Sequence, residues 1–485
     1  MKINIWIKFY LFFILIGLLI PAIKAEPEPV TIAEWDWFFA SDKYLTNEIK
    51  LFEQKYPYIK VNRTRQVQPR YKVLVDLAKR SDTLPDILAL PMDLQLDWMR
   101  NGYLMPLDQW ADKKFRSRFP KGSFLNGVNM SGGKIYSFPQ TGTDWWCQLY
   151  INNKIFKDAG LFSGGRPRIP KTWTEIIKFS RIIVKKGKGK VYGFGLSYQP
   201  EHLHADYFYE WAKLAGARAG NQEMYMAVDY KVGRYNFTSS PEIEGYLKMF
   251  RFLLDLKKEH LLYPNSMSID DETLRAAFAD GKIGMIMGGV WNQAGWQATH
   301  PDFTDYECVM IPPFDPSGYK ALLTVPIAKS SYAISSSSKH PEEAWKFLDF
   351  LATPESGARF VQAGIGISIF PSANVIANAR TRQYGQYLEI GAKYTLSGPS
   401  PLARNPELSN VKMKAVMPNH IGVFWGVLSE QIKYENIPDA LKELEDRLNA
   451  ALKEGMDEAI KKGYKVSMDD LHFPDWDPLK SYEQN

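Results

Sequence analysis

Hydrophobic and polar positions alternate between two spacings along the first part of the chain. Val30-Thr31-Ile32-Ala33-Glu34-Trp35 has the composition of a strand. Leu45, Ile49, Phe52 and Tyr56 then recur at helical spacing, and Pro57 stops that helix. Ile59 and Val61 alternate with Lys60 and Asn62, which predicts a half-exposed strand. A second helix is predicted over Arg70 to Arg80. Asp86-Ile87-Leu88-Ala89-Leu90 is a short apolar run suited to the centre of a parallel sheet. This βαβαβ order predicts an α/β layered domain with right-handed crossovers. Such sheets bind ligands beyond the carboxyl ends of their strands, which places Asp36, Trp37 and Asp93 where a ligand would sit.

Later segments follow the same grammar. Ser240-Pro241 can open a helix with a stripe of Ile243, Leu247, Phe250 and Leu254. Pro341 opens another, with Ala344, Phe347, Leu348 and Leu351 on one face. A last long helix starts near Pro438 and carries Leu441, Leu444, Leu448 and Leu452. These stripes read as core. No repeat of fixed period interrupts the pattern.

The first 25 residues change the picture by setting the compartment. Lys2 and Lys8 precede an apolar run of about 12 residues from Phe9, short of the ~20 that span a bilayer, and Pro21 and Ala25 follow it. Residues 1–25 are therefore read as a signal peptide, with an exported chain, periplasmic or secreted. No cysteine stands at the cleavage point, so a lipid-anchored end is not expected. Three lysines leave with the leader, so 57 of the 60 basic residues remain against 54 acids. That near-neutral balance implies no polyanion-binding surface, and nucleic acid is not an expected partner. Two cysteines in 485 residues exclude a disulfide-rich scaffold and a multi-cysteine metal site.

Several ordered motifs add a resemblance. Leu149-Tyr150-Ile151-Asn152-Asn153-Lys154-Ile155-Phe156 with Ala159-Gly160-Leu161 is similar to the tyrosine–asparagine–lysine segment of family 1 extracellular solute-binding proteins. Pro170-Lys171-Thr172-Trp173-Thr174-Glu175 resembles that family's helix entry. Phe278-Ala279-Asp280-Gly281-Lys282-Ile283-Gly284-Met285, running on to Gly289-Val290-Trp291, resembles its glycine–lysine strand and following tryptophan. Tyr332-Ala333-Ile334-Ser335 with Lys339-His340-Pro341-Glu342-Glu343-Ala344-Trp345 resembles the strand and helix after the hinge. Val416-Met417-Pro418-Asn419 with Phe424-Trp425 is similar to a stretch of its maltose-binding members. Each motif is weak alone; five in the family's order are strong.

The resemblance implies an α/β, two-lobed periplasmic-binding-protein fold (type II). Each lobe would be a mostly parallel sheet flanked by helices, with a hinge between lobes. Residues 26–143 and 312–351 would form lobe 1, and 144–311 and 352–485 lobe 2. It implies a monomer that hands a sugar, expected to be an oligosaccharide, to the permease subunits of an ABC-type importer. Residue by residue it points to Trp291 and Trp425 as stacking aromatics and to Asp36 and Asp93 as hydrogen-bonding acids. Trp145 and Tyr198 follow by position. At Asp144-Trp145-Trp146 a tryptophan replaces the acid of the maltose pattern, which argues against maltose itself.

Sugar chemistry agrees with that set: C–H faces pack on aromatic plates while hydroxyls need fixed donors and acceptors. Trp-Asp-Trp-Phe at 35–38 and Trp291-Asn292 each offer the pairing, within a chain of 14 Trp, 26 Tyr and 27 Phe. Trp173 and Trp345 lie on amphipathic helices and read as packing; Asp36 and Asp93 could equally be helix caps. His202 and His204, two apart, would diverge on a helix, and no metal or cofactor is expected. The alternatives are a secreted glycosidase-like enzyme, with Asp36 and Asp93 as its carboxylate pair, and a binding protein for a non-sugar solute. No catalytic motif is present, and an enzyme is not expected. The resemblance would also make the strands of Cys147 and Cys308 neighbours at the hinge. They are then either bridged or two thiols on opposite strand faces.

Overall fold

Two separate sheets organise the chain. The computed structural model describes residues 28–91, 94–142, 148–197, 205–218, 228–266, 268–315, 322–324, 330–375 and 381–482. In chain order the elements used below are β1 (Val30–Asp36), α1 (Asp42–Lys55), β2 (Ile59–Arg65), α2 (Gln68–Arg80), β3 (Ile87–Ala89) and β4 (Ser137–Pro139). There follow β5 (Gln148–Asn152), α3 (Trp173–Lys186), β6 (Tyr192–Gly195), α4 (Ala205–Leu214), α5 (Glu242–Lys258), α6 (Asp271–Ala279) and β7 (Ile283–Gly288). The last are α7 (Trp291–Thr299), β8 (Tyr306–Met310), β9 (Ser330–Ile334), α8 (Pro341–Leu351), α9 (Arg382–Tyr394), α10 (His420–Leu428) and α11 (Ile437–Lys461).

The first sheet runs β2-β1-β3-β9-β4 and the second β6-β7-β5-β8. In the first, β1 pairs in parallel with β2 and β3, as the βαβαβ pattern requires. Strand β9 then joins β3 and β4 antiparallel, because the chain re-enters this sheet after building the other one. The second sheet has one parallel pair, β6 with β7, and two antiparallel ones. The sheets are therefore mixed, parallel where a helix crosses over and antiparallel where the chain returns.

Each sheet has its own hydrophobic core. One gathers Ile32, Phe52, Ile87, Leu88, Phe138, Ala333, Phe347 and Leu348. The other gathers Leu149, Ile151, Trp173, Phe194, Trp211, Phe250, Ile286, Leu444 and Trp476. Separate cores mean two lobes, each with enough buried apolar surface to hold itself together. Ala358, Ile369, Phe370 and Ala373 pack on the first core, while Val361 packs on the second. Residues 140–142 run beside 367–369 where the chain passes between lobes. The amide of Gly142 donates to the Ile367 carbonyl at 2.8 Å. A Cβ on Gly142 would lie 2.8 Å from the Ser368 carbonyl oxygen, so only glycine lets these segments run so close.

Helix α8 buries Ala344, Phe347, Leu348 and Leu351, the stripe read from sequence. Helix α5 differs. Its buried residues include Tyr246, Met249, Phe250, Phe252, Leu253 and Leu256, while Ile243, Leu247 and Leu254 are only partly covered. It is sandwiched between neighbours, so its buried face is wider than one stripe. Trp173 is buried, and its indole N–H donates to the Pro312 carbonyl at 2.8 Å. Trp345 stacks on Trp110 at 5.7 Å and 12°. Among the described residues no helix is long and apolar enough to cross a membrane.

Candidate functional site

The first lobe's part of the site is built at the carboxyl ends of β1 and β2. Ile32, Glu34 and Asp36 share the buried face of β1. On β2 the same phase carries Ile59, Val61, Arg63 and Arg65, and the register sets Glu34 opposite Arg63. An apolar strand face thus turns ionic as it reaches the end where ligands bind. Asp36 is fully buried and spends both oxygens inside the protein. Its Oδ1 accepts from the Phe38 amide at 2.8 Å and from Arg63 Nη2 at 3.1 Å, and Oδ2 accepts from Arg63 Nε at 2.5 Å. Arg63 also reaches Asp42 at 2.6 Å. Glu34 is buried too. Neither of its oxygens has a hydrogen-bond partner, and the nearer one lies 3.6 Å from Arg63 Nε. Burial, then the adjacent Asp36, push the Glu34 carboxyl well above the usual range, against the pull of Arg63. Trp37 packs its ring against Phe38 at 4.8 Å and Tyr71 at 4.9 Å and stays partly exposed. A hollow of about 290 Å3 opens beside the cluster, lined by Asp42, Thr46, Ile49, Arg63 and Arg65.

The second lobe contributes the turn from β7 into α7. Gly288-Gly289-Val290 leads directly into Trp291, and both glycines leave room for the side chains that fold back over them. A Cβ on Gly288 would strike the Asn292 amide, and one on Gly289 would strike the Trp291 ring. Tyr150 on β5 donates its hydroxyl to the Gly289 carbonyl at 2.8 Å, which pins the turn to the sheet. The Trp291 ring remains partly exposed. Asn292 is 2 % exposed, and its Oδ1 accepts from Arg275 Nε at 2.8 Å. Like Asp36, it is committed within the protein.

The two parts meet. Helix α7 packs against the short 3-10 turn Phe39–Ser41, whose first residue donates its amide to the Trp37 carbonyl at 2.9 Å. The turn that follows Trp37 in one lobe and the helix that opens with Trp291 in the other are thereby in contact. Trp425 lies on α10, which packs against α4 and α5, and its buried indole N–H has no hydrogen-bond partner. Asp93, Trp145 and Tyr198, with His202 and His204, lie outside the described residues. Among the described residues no His, Cys, Asp and Glu cluster could hold a metal ion. Cys308 is a free, buried thiol opposite Tyr150 in the β5–β8 register, pushed up to about 12 by burial. The bridged alternative for Cys308 is thus not formed; Cys147 lies outside the described residues. Glu34, Arg63 and Arg275 were not picked out from sequence. Arg63 had a readable signal, a charge continuing the apolar phase of Ile59 and Val61.

A two-lobed α/β protein with aromatic residues and buried polar supports where its lobes meet belongs to the class that binds small ligands between domains. Residues 39–358 match the family model for bacterial extracellular solute-binding protein, and the chain belongs to that family. A putative binding protein of Brucella abortus is 26% identical over 360 residues, 72% of this chain and 78% of that protein. The multiple sugar-binding protein of Streptococcus mutans is 24% identical over 347 residues, 70% of this chain and 75% of the relative. An ABC transporter solute-binding protein of Thermotoga lettingae, solved with α-D-tagatose, superposes with a TM-score of 0.67 at 21% identity. That match covers 88% of this chain and all of the other, and it shows the shared fold.

Proposed function

We propose that this protein captures a saccharide between its two lobes and delivers it to the permease of an ABC-type importer, without chemically changing it. The observation that carries the reading is that the turn following Trp37 in one lobe packs against the helix that Trp291 opens in the other, with both tryptophans partly exposed. The names of the Streptococcus mutans and Thermotoga lettingae proteins support sugar as the ligand class. Trp37, Trp145, Trp291 and Trp425 offer more stacking plates than one sugar ring covers, which favours an oligosaccharide. Asp93 and Tyr198 are assigned to its hydroxyls. Asp36 and Asn292 serve as supports, holding Trp37 and Trp291 from behind. Asp36 is locked to Arg63, so it is poorly suited to serve as one of a glycosidase's two working carboxylates.

The lobes divide as 26–143 with 312–351 and 144–311 with 352–485, and the stretch after Leu351 touches both cores. The mature chain begins near Glu26, is exported without a lipid anchor, and works as a monomer. A thermal-shift screen of the mature protein tests the ligand class, because a ligand that binds only the folded state raises the melting temperature. At least one oligosaccharide should raise it in a concentration-dependent way while amino acids and peptides leave it unchanged. A shift with peptides alone would replace sugar by a non-sugar solute.

A further inference from the structure

Arg275 sits on α6, 13% exposed, with its guanidinium spread over three partners. Nε donates to Asn292 Oδ1 at 2.8 Å, one amino group donates to Glu272, and the other reaches Asp271 at 3.4 Å. Asp271 in turn accepts from the Ser197 hydroxyl. The backbone carbonyl of Arg275 accepts from the Trp296 indole N–H at 3.0 Å, one turn and a half into α7. Helix α6 is itself anchored at its start, where the Asp270 side chain accepts from the Thr273 amide. Asn292 of α7 and the first turn of α6 therefore meet on one planar cation, with Ser197 behind Asp271 and Trp296 tied to the Arg275 backbone.

We infer that Arg275 is the positioning residue of the second lobe's ligand face, fixing the plane of the Trp291 ring through Asn292 before any ligand arrives. The inference rests on the reading of Trp291 as a sugar-stacking residue, but its structural part can be tested without sugar. The physical reason is local. Helix α7 has no side-chain cap at its start, so no capping side chain fixes Trp291 and Asn292. Tyr150 fixes Gly289 on the strand side, and Arg275 fixes Asn292 on the other. A guanidinium suits the task because its donors lie in one rigid plane, so a bond to Asn292 and bonds to two carboxylates orient one another. A face held in this way binds with less ordering cost, and its loss should show as weaker affinity rather than as unfolding.

The test uses mature protein labelled with 5-fluorotryptophan, with the Trp291 resonance assigned by its loss in Trp291→Phe. In ligand-free Arg275→Met, and in Asn292→Ala, which removes only the acceptor, that resonance should shift and broaden. Arg275→Lys should restore it in part. The second arm measures affinity for the saccharide found by thermal shift. Arg275→Met should weaken it about tenfold, and should weaken it no further in a Trp291→Ala background. An unchanged Trp291 resonance in both folded variants overturns the inference, as does full additivity with Trp291→Ala. If no saccharide binds the wild type, the proposed function fails, while the fluorine resonances still decide whether Arg275 positions Trp291.

Discussion

Gly289→Ala isolates the placement of one ring. The substitution adds a single methyl group, which would lie under 3.0 Å from three carbons of the Trp291 benzo ring. Carbon atoms in contact settle at about 3.5–4.0 Å, so the ring must retreat by roughly 1–1.5 Å. Gly289 does not adopt a left-handed backbone, so alanine imposes no dihedral strain there. Replacing glycine also removes freedom from the unfolded chain, worth about 0.4–1 kcal/mol of stabilisation. The ring is partly exposed and can move toward solvent, so the two effects on stability should roughly cancel. Binding has no such compensation, since stacking geometry must hold to within about 0.5 Å. A loss of about 1–2 kcal/mol is expected, a rise in Kd of roughly 5- to 30-fold. Calorimetric titration gives Kd and thermal unfolding gives Tm on the same preparation. A Kd within twofold of wild type in folded Gly289→Ala would refute the role given to the Trp291 ring. A collapse in Tm would refute the claim that the ring can yield locally.

The ionic cluster under Trp37 supports two more expectations. Arg63→Met leaves Asp36 buried with only the Phe38 amide, and should destabilise by about 3–5 kcal/mol, read from the urea midpoint. A loss below about 1 kcal/mol would show that the cluster is solvated in solution. Glu34→Gln concerns pH. The fold raises the Glu34 pKa, so its contribution is complete below the ordinary carboxyl range and is lost as pH rises through the folded value. The glutamine variant should therefore gain Tm relative to wild type between pH 5 and pH 8. A difference that stays constant over that interval would contradict the assignment of Glu34 as the titrating group.

Local periodicity made the elements legible, and long-range pairing hid the rest. Helix α8 could be read correctly because its buried residues fall at i, i+3, i+4 and i+7 on one face. Asp36 looked like an acid available to ligand because its partner, Arg63, lies 27 residues away on a neighbouring strand. Only the β1–β2 register brings them together. Asn292 is alike, since its own Oδ1 accepts from Arg275 on another helix. The antiparallel entry of β9 into the first sheet has no local signal either, because strand direction depends on where the chain has been. The glycines before Trp291 adopt ordinary backbone angles, so their role is to lack a side chain and not to free the backbone. What they accommodate, a ring and an amide folded back onto the turn, needed coordinates.

On the proposed reading a saccharide stacks on Trp291 where the two lobes meet. Isothermal titration of the mature protein with the saccharide giving the largest thermal shift tests it most directly, run in parallel on Trp291→Ala and Trp173→Ala. One site per chain is expected in wild type. An affinity loss of about 1–3 kcal/mol is expected in Trp291→Ala, and near-native affinity in a less stable Trp173→Ala protein. Wild-type affinity in folded Trp291→Ala, or no saccharide heat at all from a protein that titrates with another solute, would contradict that reading.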